Sequence, residues 1–561
     1  MLKNSKLLKL IPLVLLSLAS CNGNNNGNNK PPVDPEDEEV DLCAGDPLYS
    51  GENVAVSSIV SNDGNYNISV DGKDFLFLGT QIRVDAFMNC DKYNYQEIKA
   101  LFEEAAKLGV TCVQIPVEWS KIEKKQDQYS FKYVHEMLSY ANEYNLKIEL
   151  LWFGSNMCGD SHSNSIPNYI LADGKTYPKF DALRTGEYWN YYGIMWFLDF
   201  DNPNLIAREG KALEKLMEYV YWFDSTHGAK KPVIGIQIEN EADIFPRWRI
   251  DQQSVLDPST HAKMEKSVGF TKICNSLNAM GNVVKNAKYK VYTRANLASS
   301  TNDNGIYSGS TVKDAPSFAK QILELPGIDI VGDDSYTSSV RNIKGISYMF
   351  RENLTHNFSH IAENAGNYSN TSSLILAALS QHGGYSIYDL VTSPFFIANG
   401  SGSVDQGIIS VDANKNITYK SHYNDTKTFI SDLKKVESEI YKLDSDDFIA
   451  FNIKNDYPQN EITQTISSTN MTIKFETNTK AIGYALDFGT YVDVLVTGNS
   501  KITLSNCTVN QVTEGEISGT DFVGTTLATS SVVQLEANKL YRIEYTSSGS
   551  IASTTWSNIG A

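Results

Sequence analysis

Two glutamates stand directly after apolar, β-branched stretches of the chain and could act together in catalysis. Glu241 ends the stretch IGIQIENE, and Glu363 ends the stretch HIAE. A carboxylic acid can protonate a leaving oxygen, and a second carboxylate can attack the reacting carbon or activate water. Hydrolysis of a glycosidic bond requires two carboxyls in these roles. The sequence has no serine elbow, HExxH motif or cysteine–histidine arrangement that would indicate another hydrolytic chemistry.

The elements that must position these glutamates alternate between short strands and amphipathic helices. We predict eight strands, which cover residues 75–86, 110–119, 146–154, 232–241, 288–296, 328–336, 359–366 and 385–390. Helical patterns such as those at 131–144 and 205–224 lie between them. Neither a GxGxxG nor a Walker-type loop is present to favour an open doubly wound sheet. The fold class is therefore predicted as α/β, with a (β/α)8 TIM barrel.

Composition divides the rest of the chain into further segments. Residues 446–561 are rich in Thr, Ser, Val and Ile at alternating spacing, which predicts a C-terminal all-β sandwich domain. Residues 42–74 predict an N-terminal β-hairpin segment that turns at Asp71 and Gly72. The barrel is then expected to occupy residues 75–445.

The N-terminus predicts export and attachment to a membrane through lipid. Residues 1–20 combine three lysines with a short apolar run and small residues before Cys21, as in a secretory signal peptide. These last residues resemble the bacterial lipobox, which implies lipidation of Cys21; an ordinary signal peptide is the alternative. Residues 21–41 contain almost no apolar side chain and predict a flexible tether. We expect a protein lipid-anchored at the bacterial cell envelope, at the outer membrane.

Charge and cysteine spacing limit the partners. The formal net charge is -18 and no basic tract follows the first ten residues, so nucleic acid is not an expected partner. The seven cysteines show no CxxC or zinc-like spacing, so no metal or other cofactor is predicted, and disulfides stay possible. Aromatic residues make up 11% of the chain, which would suit stacking on sugars but also occurs in aromatic-rich β-structure.

The stretch IGIQIENEAD (residues 234–243) resembles the fourth-strand signature of clan A glycoside hydrolases, particularly β-galactosidase families 35 and 42. In these families an apolar strand ends in Asn-Glu and the glutamate is the acid/base, which here corresponds to Asn240 and Glu241. Clan A places the nucleophile at the end of strand seven, which implies Glu363. The second and third strands of these families are similar to residues 108–131, 150–156 and 166–171.

The resemblance also implies substrate contacts for six residues at predicted strand ends: Arg83, Asp85, Trp119, Trp152, Asn240 and Tyr336. The asparagine would bond a sugar hydroxyl beside the cleaved bond, and the tyrosine would donate to the nucleophile's carboxylate. The tryptophans could stack on sugar faces or pack under loops, and the arginine and aspartate could fix hydroxyls of a terminal sugar. Glu239 is the alternative candidate for the acid. Because side chains alternate along a strand, Glu239 would share a face with Glu241 but lie two residues deeper, where a buried structural carboxylate is the more ordinary interpretation.

The function implied is that of a retaining glycoside hydrolase on β-linked sugars, with an exo-β-galactosidase as the best single choice. Its expected partner is an oligo- or polysaccharide. Two alternatives stay open. One is an endo-acting β-mannanase or β-glucanase, and the other is a surface glycan-binding lipoprotein that has lost catalysis, which the presence of both glutamates disfavours.

Overall fold

In the computed structural model, residues 46–548 are described except 63, 158–164, 185–186, 189–195, 243–253, 257–265, 299–316, 353, 400–403, 454–460, 467 and 479. Cys21, the predicted signal peptide and the tether lie outside the described residues. Eight parallel strands form a closed barrel in which each pairs with its neighbours in sequence and the eighth pairs with the first. The predicted (β/α)8 TIM barrel is therefore confirmed.

The barrel strands are β1 Leu78–Gln81, β2 Cys112–Glu118, β3 Lys147–Met157, β4 Val233–Asn240, β5 Tyr292–Ala298, β6 Ile330–Asp334, β7 His360–Ala365 and β8 Gly384–Tyr388. Every residue of β2, β4, β7 and β8 is buried, because one face points into the barrel and the other packs under the surrounding helices. Gly235 of β4 lacks a side chain where the Tyr292 ring fills the interior, since a Cβ there would lie 2.2 Å from that ring.

Helices cover the outside of the barrel. They are Val84–Asn89, Tyr95–Leu108, Trp119–Ile122, Lys132–Tyr144, Asn168–Ala172, Pro203–Thr226, Lys266–Asn286, Ser317–Leu323, Val340–Glu352, Thr371–Leu379, Pro394–Asn399, Tyr423–Lys434 and Glu437–Ile440. The second of these shows how sequence sets their bounds. Asn94 and Glu97 form a capping box at its start, and Gly109 ends it at φ 93°. No helix among the described residues has the length and apolar character needed to cross a membrane.

Two predicted strands differ from the structure. Strand β1 ends at Gln81 and the chain turns into helix Val84–Asn89, so Arg83 and Asp85 follow the strand. The predicted fifth strand is split, because Tyr289–Lys290 pairs outside the barrel with Val54–Ala55. Helix Thr371–Leu379 ends at Ser380 without a glycine cap. Gly383 allows close backbone packing after this helix, since a Cβ there would lie 2.7 Å from a carbonyl oxygen.

The N-terminal segment forms a three-stranded antiparallel sheet, with strands Ser57–Asn62, Asn65–Val70 and Lys73–Asp74. Its second turn lies at Asp71 and Gly72, as predicted, and both residues have positive φ (52° and 74°). Smaller strands decorate the barrel at Lys179–Arg184, Glu187–Tyr188, Trp196–Leu198, Ser254–Leu256, Ile409–Val411 and Ile417–Tyr419.

The C-terminal region consists of two antiparallel sheets that share one apolar core. Six strands form the first sheet: Phe448–Ile453, Ala481–Asp487, Tyr491–Val496, Leu540–Ser547, Cys507–Ser518 and Asp521–Leu527. Four form the second: Glu461–Thr465, Thr472–Thr477, Ser500–Ser505 and Val532–Leu535. Phe451 and Phe475 stack between the sheets at 4.6 Å. The predicted all-β sandwich is confirmed, and its outer face meets the barrel where the Tyr484 hydroxyl donates to the Asp432 carbonyl.

A buried ion pair crosses the barrel interior between β3 and β5. Both guanidinium contacts of Arg294 to the Glu149 carboxylate are short, at 2.9 and 2.6 Å, and the side chains are 1% and 0% exposed. The Gln114 amide and the Tyr292 hydroxyl donate to the same carboxylate at 2.7 and 2.9 Å. Burial disfavours ionisation of Glu149, but the charge and hydrogen bonds of Arg294 outweigh it and lower the pKa to about 2.

Replacing Arg294 by methionine is expected to lower the free energy of unfolding by about 3–5 kcal/mol, because it leaves the Glu149 carboxylate buried and uncompensated. Urea denaturation followed by intrinsic fluorescence measures this loss. The control is the double variant Glu149→Leu/Arg294→Met, which removes both charges and should be more stable than Arg294→Met alone. A double variant less stable than Arg294→Met would contradict this account.

The Arg294–Glu149 pair also determines how the stability of the protein changes at acid pH. Because the pKa of Glu149 is lower in the folded protein, its contribution is present above the unfolded value of about 4.3 and is lost as pH falls toward 2. Between these two pH values the wild-type protein should therefore lose stability more steeply than the double variant.

Candidate active site

Three carboxyl groups lie at the carboxyl ends of barrel strands β4, β6 and β7. Glu241 directly follows β4, Asp334 ends β6, and Glu363 lies in β7 opposite Asp334 in the strand register. The charge of Glu241 raises the pKa of both other carboxyls, which places the three within one electrostatic site. In a TIM barrel this end of the strands carries the working groups.

Glu363 is buried and accepts a hydrogen bond from the Tyr336 hydroxyl on Oε2. Burial, followed by the charge of Glu241, raises the pKa of Glu363 to about 8, while the Tyr336 hydrogen bond and the charge of Arg83 act in the opposite direction. Two carboxyls that repel across one site lose their protons in two steps. The Glu241–Glu363 pair therefore keeps one proton near neutral pH.

The backbone at the end of β4 decides which glutamate reaches the site. The register with β3 shifts between Ile238 and Asn240, and Glu239 and Glu241 both have positive φ (59° and 44°). Glu239 is fully buried and accepts the Gly154 backbone N–H at 3.0 Å, whereas Glu241 is partly exposed. Of the two, Glu241 is the carboxyl that a substrate can contact.

Asn240 and Asn296 form an amide network beside Glu241. The Asn240 oxygen accepts from the Gln237 and Asn296 amides at 3.0 and 3.2 Å, which directs the Asn240 nitrogen away from these donors. The Asn296 oxygen accepts the Glu241 backbone N–H at 2.9 Å. The neighbourhood of Glu241 is thus held by side chains from β4 and β5.

Arg83 and Asp85 form a buried bidentate ion pair after β1, at 2.9 and 2.6 Å. The guanidinium lies between the rings of Phe153 and Phe396, at 5.6 and 5.1 Å from their centroids. The charge of Arg83 also lowers the pKa of Glu363, so the pair borders the carboxyl site. Both side chains are buried, and each binds the other.

Glu118 at the end of β2 adds another carboxyl beside the Arg83–Asp85 pair. It accepts from the Asn89 amide at 3.1 Å, and burial with the charge of Asp85 raises its pKa to about 7. Cys90 follows the helix that carries Asp85 and Asn89 and is disulfide-bonded. This covalent link restrains the end of the helix beside the site.

Trp119 and Trp152 are both fully buried, so neither presents a ring face on which a sugar could stack. Trp119 donates its indole N–H to Glu123 at 3.0 Å, and Trp152 donates to Glu209 at 2.9 Å. Of the two alternatives that the sequence left open for these tryptophans, burial favours packing under loops over stacking on a sugar. Residue spacing along a strand could not distinguish these outcomes.

Asp334 and Asn296 have polar contacts in the site but were given no role from the sequence. Asp334 stands two residues before Tyr336, so strand period would have placed both on one face. Asn296 lies in β5 and its amide nitrogen donates to Asp334 at 2.7 Å. Among the described residues no group of three His, Cys, Asp or Glu side chains could hold a metal ion.

Comparison with known proteins gives one family match. Residues 272–458 match a family described as a domain of unknown function (DUF4978). No curated protein matches the chain.

Solved structures similar to this chain include an exo-β-1,4-mannosidase from Opitutaceae bacterium strain TAV5, with a TM-score of 0.45 and 14% identity over 68% of this chain and 63% of that chain. A β-galactosidase from Bacillus circulans sp. alkalophilus has a TM-score of 0.46 and 11% identity, over 66% of this chain and 57% of the galactosidase. An endo-1,4-β-mannanase from Rhizomucor miehei has a TM-score of 0.43 and 13% identity over 67% and 99%. The chain thus spans less than two thirds of the mannosidase and of the galactosidase. At such identities the chemistry has to be inferred from the side chains themselves.

Proposed function

We propose that the protein is a retaining glycoside hydrolase that cleaves β-linked sugars, with Glu241 as acid/base and Glu363 as nucleophile. One observation carries this proposal: Glu363 of β7 and Glu241, which follows β4, lie in one site where the charge of Glu241 acts on the buried Glu363 carboxyl. The Tyr336 hydroxyl donates to Glu363 and favours its ionised form, which leaves the proton to Glu241. One carboxyl is then ready to attack and the other to protonate.

The reaction follows from these two states. In the first step a Glu363 oxygen attacks the anomeric carbon while the glycosidic C–O bond breaks and Glu241 gives its proton to the leaving oxygen. In the second step Glu241 takes a proton from water, the water oxygen attacks the anomeric carbon, and the Glu363 carboxylate leaves. Two displacements at one carbon return the original anomeric configuration, so the sugar is released as the β-anomer.

For the substrate we propose exo action on a terminal β-linked sugar, with β-galactosides as the first choice. The resemblance of residues 234–243 to β-galactosidase families 35 and 42 supports this choice. A second support is the charged corner of Arg83, Asp85 and Glu118, whose buried polar groups suit the hydroxyls of a sugar that ends the chain. The role of Asn240 is to bond a hydroxyl beside the cleaved bond.

The experiment is a panel of chromogenic β-galactosides, β-mannosides and β-glucosides, together with β-linked oligosaccharides, offered to the wild-type protein and to Glu363→Ala. We expect at least one β-glycoside to be hydrolysed by the wild type alone, and oligosaccharides to lose one sugar at a time. Release of longer fragments would indicate endo action instead. Binding of glycans without any turnover would favour the non-catalytic alternative and overturn the proposed function.

We also propose that Cys21 carries a lipid and that residues 21–41 tether the folded part to the envelope. A body joined through a structureless tether can face its substrate while the lipid stays in the membrane. Labelled palmitate should be incorporated by the full-length protein expressed in a bacterial host and lost in Cys21→Ala. Cys43→Ala is the matched control and should keep the label. Equal labelling of the wild type and Cys21→Ala would contradict lipidation at this position.

A further inference from the structure

Asp334 is a third carboxyl in the site, and the proposed mechanism gives it no task. It is the last residue of β6, its side chain is fully buried, and its register partner in β7 is Glu363. A buried carboxyl next to two others is unfavourable unless the site uses it or neutralises it. Its contacts indicate what it does.

One amide side chain connects Asp334 to the acid/base. The Asn296 nitrogen donates to Asp334 Oδ2 at 2.7 Å, and the Asn296 oxygen accepts the backbone N–H of Glu241 at 2.9 Å. A backbone N–H can only donate, so it fixes the amide with its oxygen toward Glu241 and its nitrogen toward Asp334. The two bonds therefore support each other.

Glu241 needs such support because its backbone is in the left-handed region, with φ at 44°. A residue with a side chain adopts this conformation only where its surroundings hold it. The direction of the Glu241 carboxyl follows from that backbone conformation. The hydrogen bond from its backbone N–H to the Asn296 side chain acts directly on that backbone.

The second oxygen of Asp334 indicates its protonation state. Asp334 Oδ1 is buried and has no hydrogen-bond partner among the described residues. An ionised oxygen in that position would be unfavourable. Burial with the charges of Glu363 and Glu241 raises the pKa of Asp334 well above its usual value and outweighs the opposing charge of Arg294. A neutral Asp334 still accepts from Asn296 through Oδ2 and adds no third negative charge to the site.

We propose that Asp334 is a neutral positioning residue that holds the backbone of Glu241 through Asn296 and so aims the acid/base carboxyl at the leaving oxygen. This inference rests on the proposed role of Glu241. Asp334 touches neither substrate nor reacting atoms in this scheme. Its effect should therefore appear in reactions that need a well-placed proton donor.

Two substitutions of Asp334 separate hydrogen bonding from charge. Asp334→Leu removes the acceptor, while Asp334→Asn keeps an oxygen for Asn296 and is neutral. For glycosides with poor leaving groups, Asp334→Leu should lower kcat/KM about 100-fold, since a misplaced acid loses about that factor. For aryl glycosides with good leaving groups it should change kcat/KM less than about threefold, because their first step needs little protonation. Asp334→Asn should restore both values to near those of the wild type.

Asp333→Asn is the matched control. It removes a neighbouring buried carboxyl on the opposite face of β6, where Asp333 accepts from the Ser335 hydroxyl at 2.6 Å. Its ratio of kcat/KM between the two kinds of leaving group should equal that of the wild type. Asn296→Ala, which breaks the same connection from its other side, should reproduce the selective loss even where Asp334→Leu fails to fold.

Three results would overturn the proposal: equal losses on both kinds of substrate, no loss in Asn296→Ala, or an Asp334→Asn variant as impaired as Asp334→Leu. A readout independent of turnover separates this inference from the proposed function. Infrared spectra of protein labelled with ¹³C-aspartate should show a protonated carboxyl at pH 7 that Asp334→Asn lacks. If the wild type hydrolyses no glycoside, the proposed function fails, but this infrared band still reports on Asp334. Absence of the band would refute a neutral Asp334.

Discussion

Glu363→Ala is expected to lower kcat by more than about 10⁴-fold on every β-glycoside, because the nucleophile takes part in both chemical steps whatever the leaving group. Steady-state assays on activated and unactivated substrates measure this loss. Circular dichroism should show an intact fold, since Glu363 lies at the rim of the barrel. Glu352→Ala is the matched control: this glutamate is half exposed at the end of the preceding helix and should be dispensable.

Chemical rescue of Glu363→Ala gives a second test of Glu363 as the nucleophile. Azide or formate that enters the space left by the Glu363 carboxylate should attack activated glycosides from the nucleophile's side and restore turnover. With azide the product should be the α-glycosyl azide, because only one displacement takes place. A Glu363→Ala enzyme that hydrolyses its substrates at the wild-type rate would remove this residue from the mechanism.

Glu241→Ala is expected to have effects that depend on the leaving group. For unactivated glycosides the rate of the first step should fall about 10²- to 10⁴-fold, which is the usual contribution of a general acid. Aryl glycosides with good leaving groups should pass the first step at a near wild-type rate and accumulate as glycosyl-enzyme, because the second step still lacks its base. Pre-steady-state burst measurements and mass spectrometry of the trapped intermediate test this. Equal losses on both substrate classes would contradict the acid/base assignment.

The pH dependence of wild-type activity should reflect the proton that Glu241 and Glu363 share. A raised pKa means that the folded site holds its proton up to about pH 8 and loses it above that value. Activity on unactivated glycosides should therefore fall as pH rises through about 8, when both carboxyls are ionised. In Glu241→Ala the fall on the alkaline side should disappear for activated substrates.

The configuration of the first product distinguishes retention from inversion. Retention requires carboxyls about 5 to 5.5 Å apart, whereas inversion needs about 6.5–9.5 Å to admit a water molecule. Proton NMR during the first minutes of hydrolysis should show the β-anomer before mutarotation mixes the two forms. An α-anomer appearing first would rule out direct attack by Glu363.

Much of the architecture could be predicted from the sequence because it depends on local patterns. Alternating strand and helix periodicities predict eight strand–helix units, and such units close into a barrel. A polar residue at the carboxyl end of a predicted barrel strand is expected near the rim, which is why Glu241 and Glu363 could be singled out. The turn at Asp71 and Gly72 follows in the same way from two residues that accept positive φ.

What the sequence could not determine depends on groups that are distant along the chain. The Arg294–Glu149 pair joins residues 145 positions apart, and only closure of the barrel brings them together. The choice between Glu239 and Glu241 depends on a register shift at the end of β4, which strand period does not predict. The same closure buries Trp119 and Trp152. It also gathers Glu241, Asp334 and Glu363, whose protonation depends on the sum of their charges in a buried site and so could be decided only by the tertiary structure.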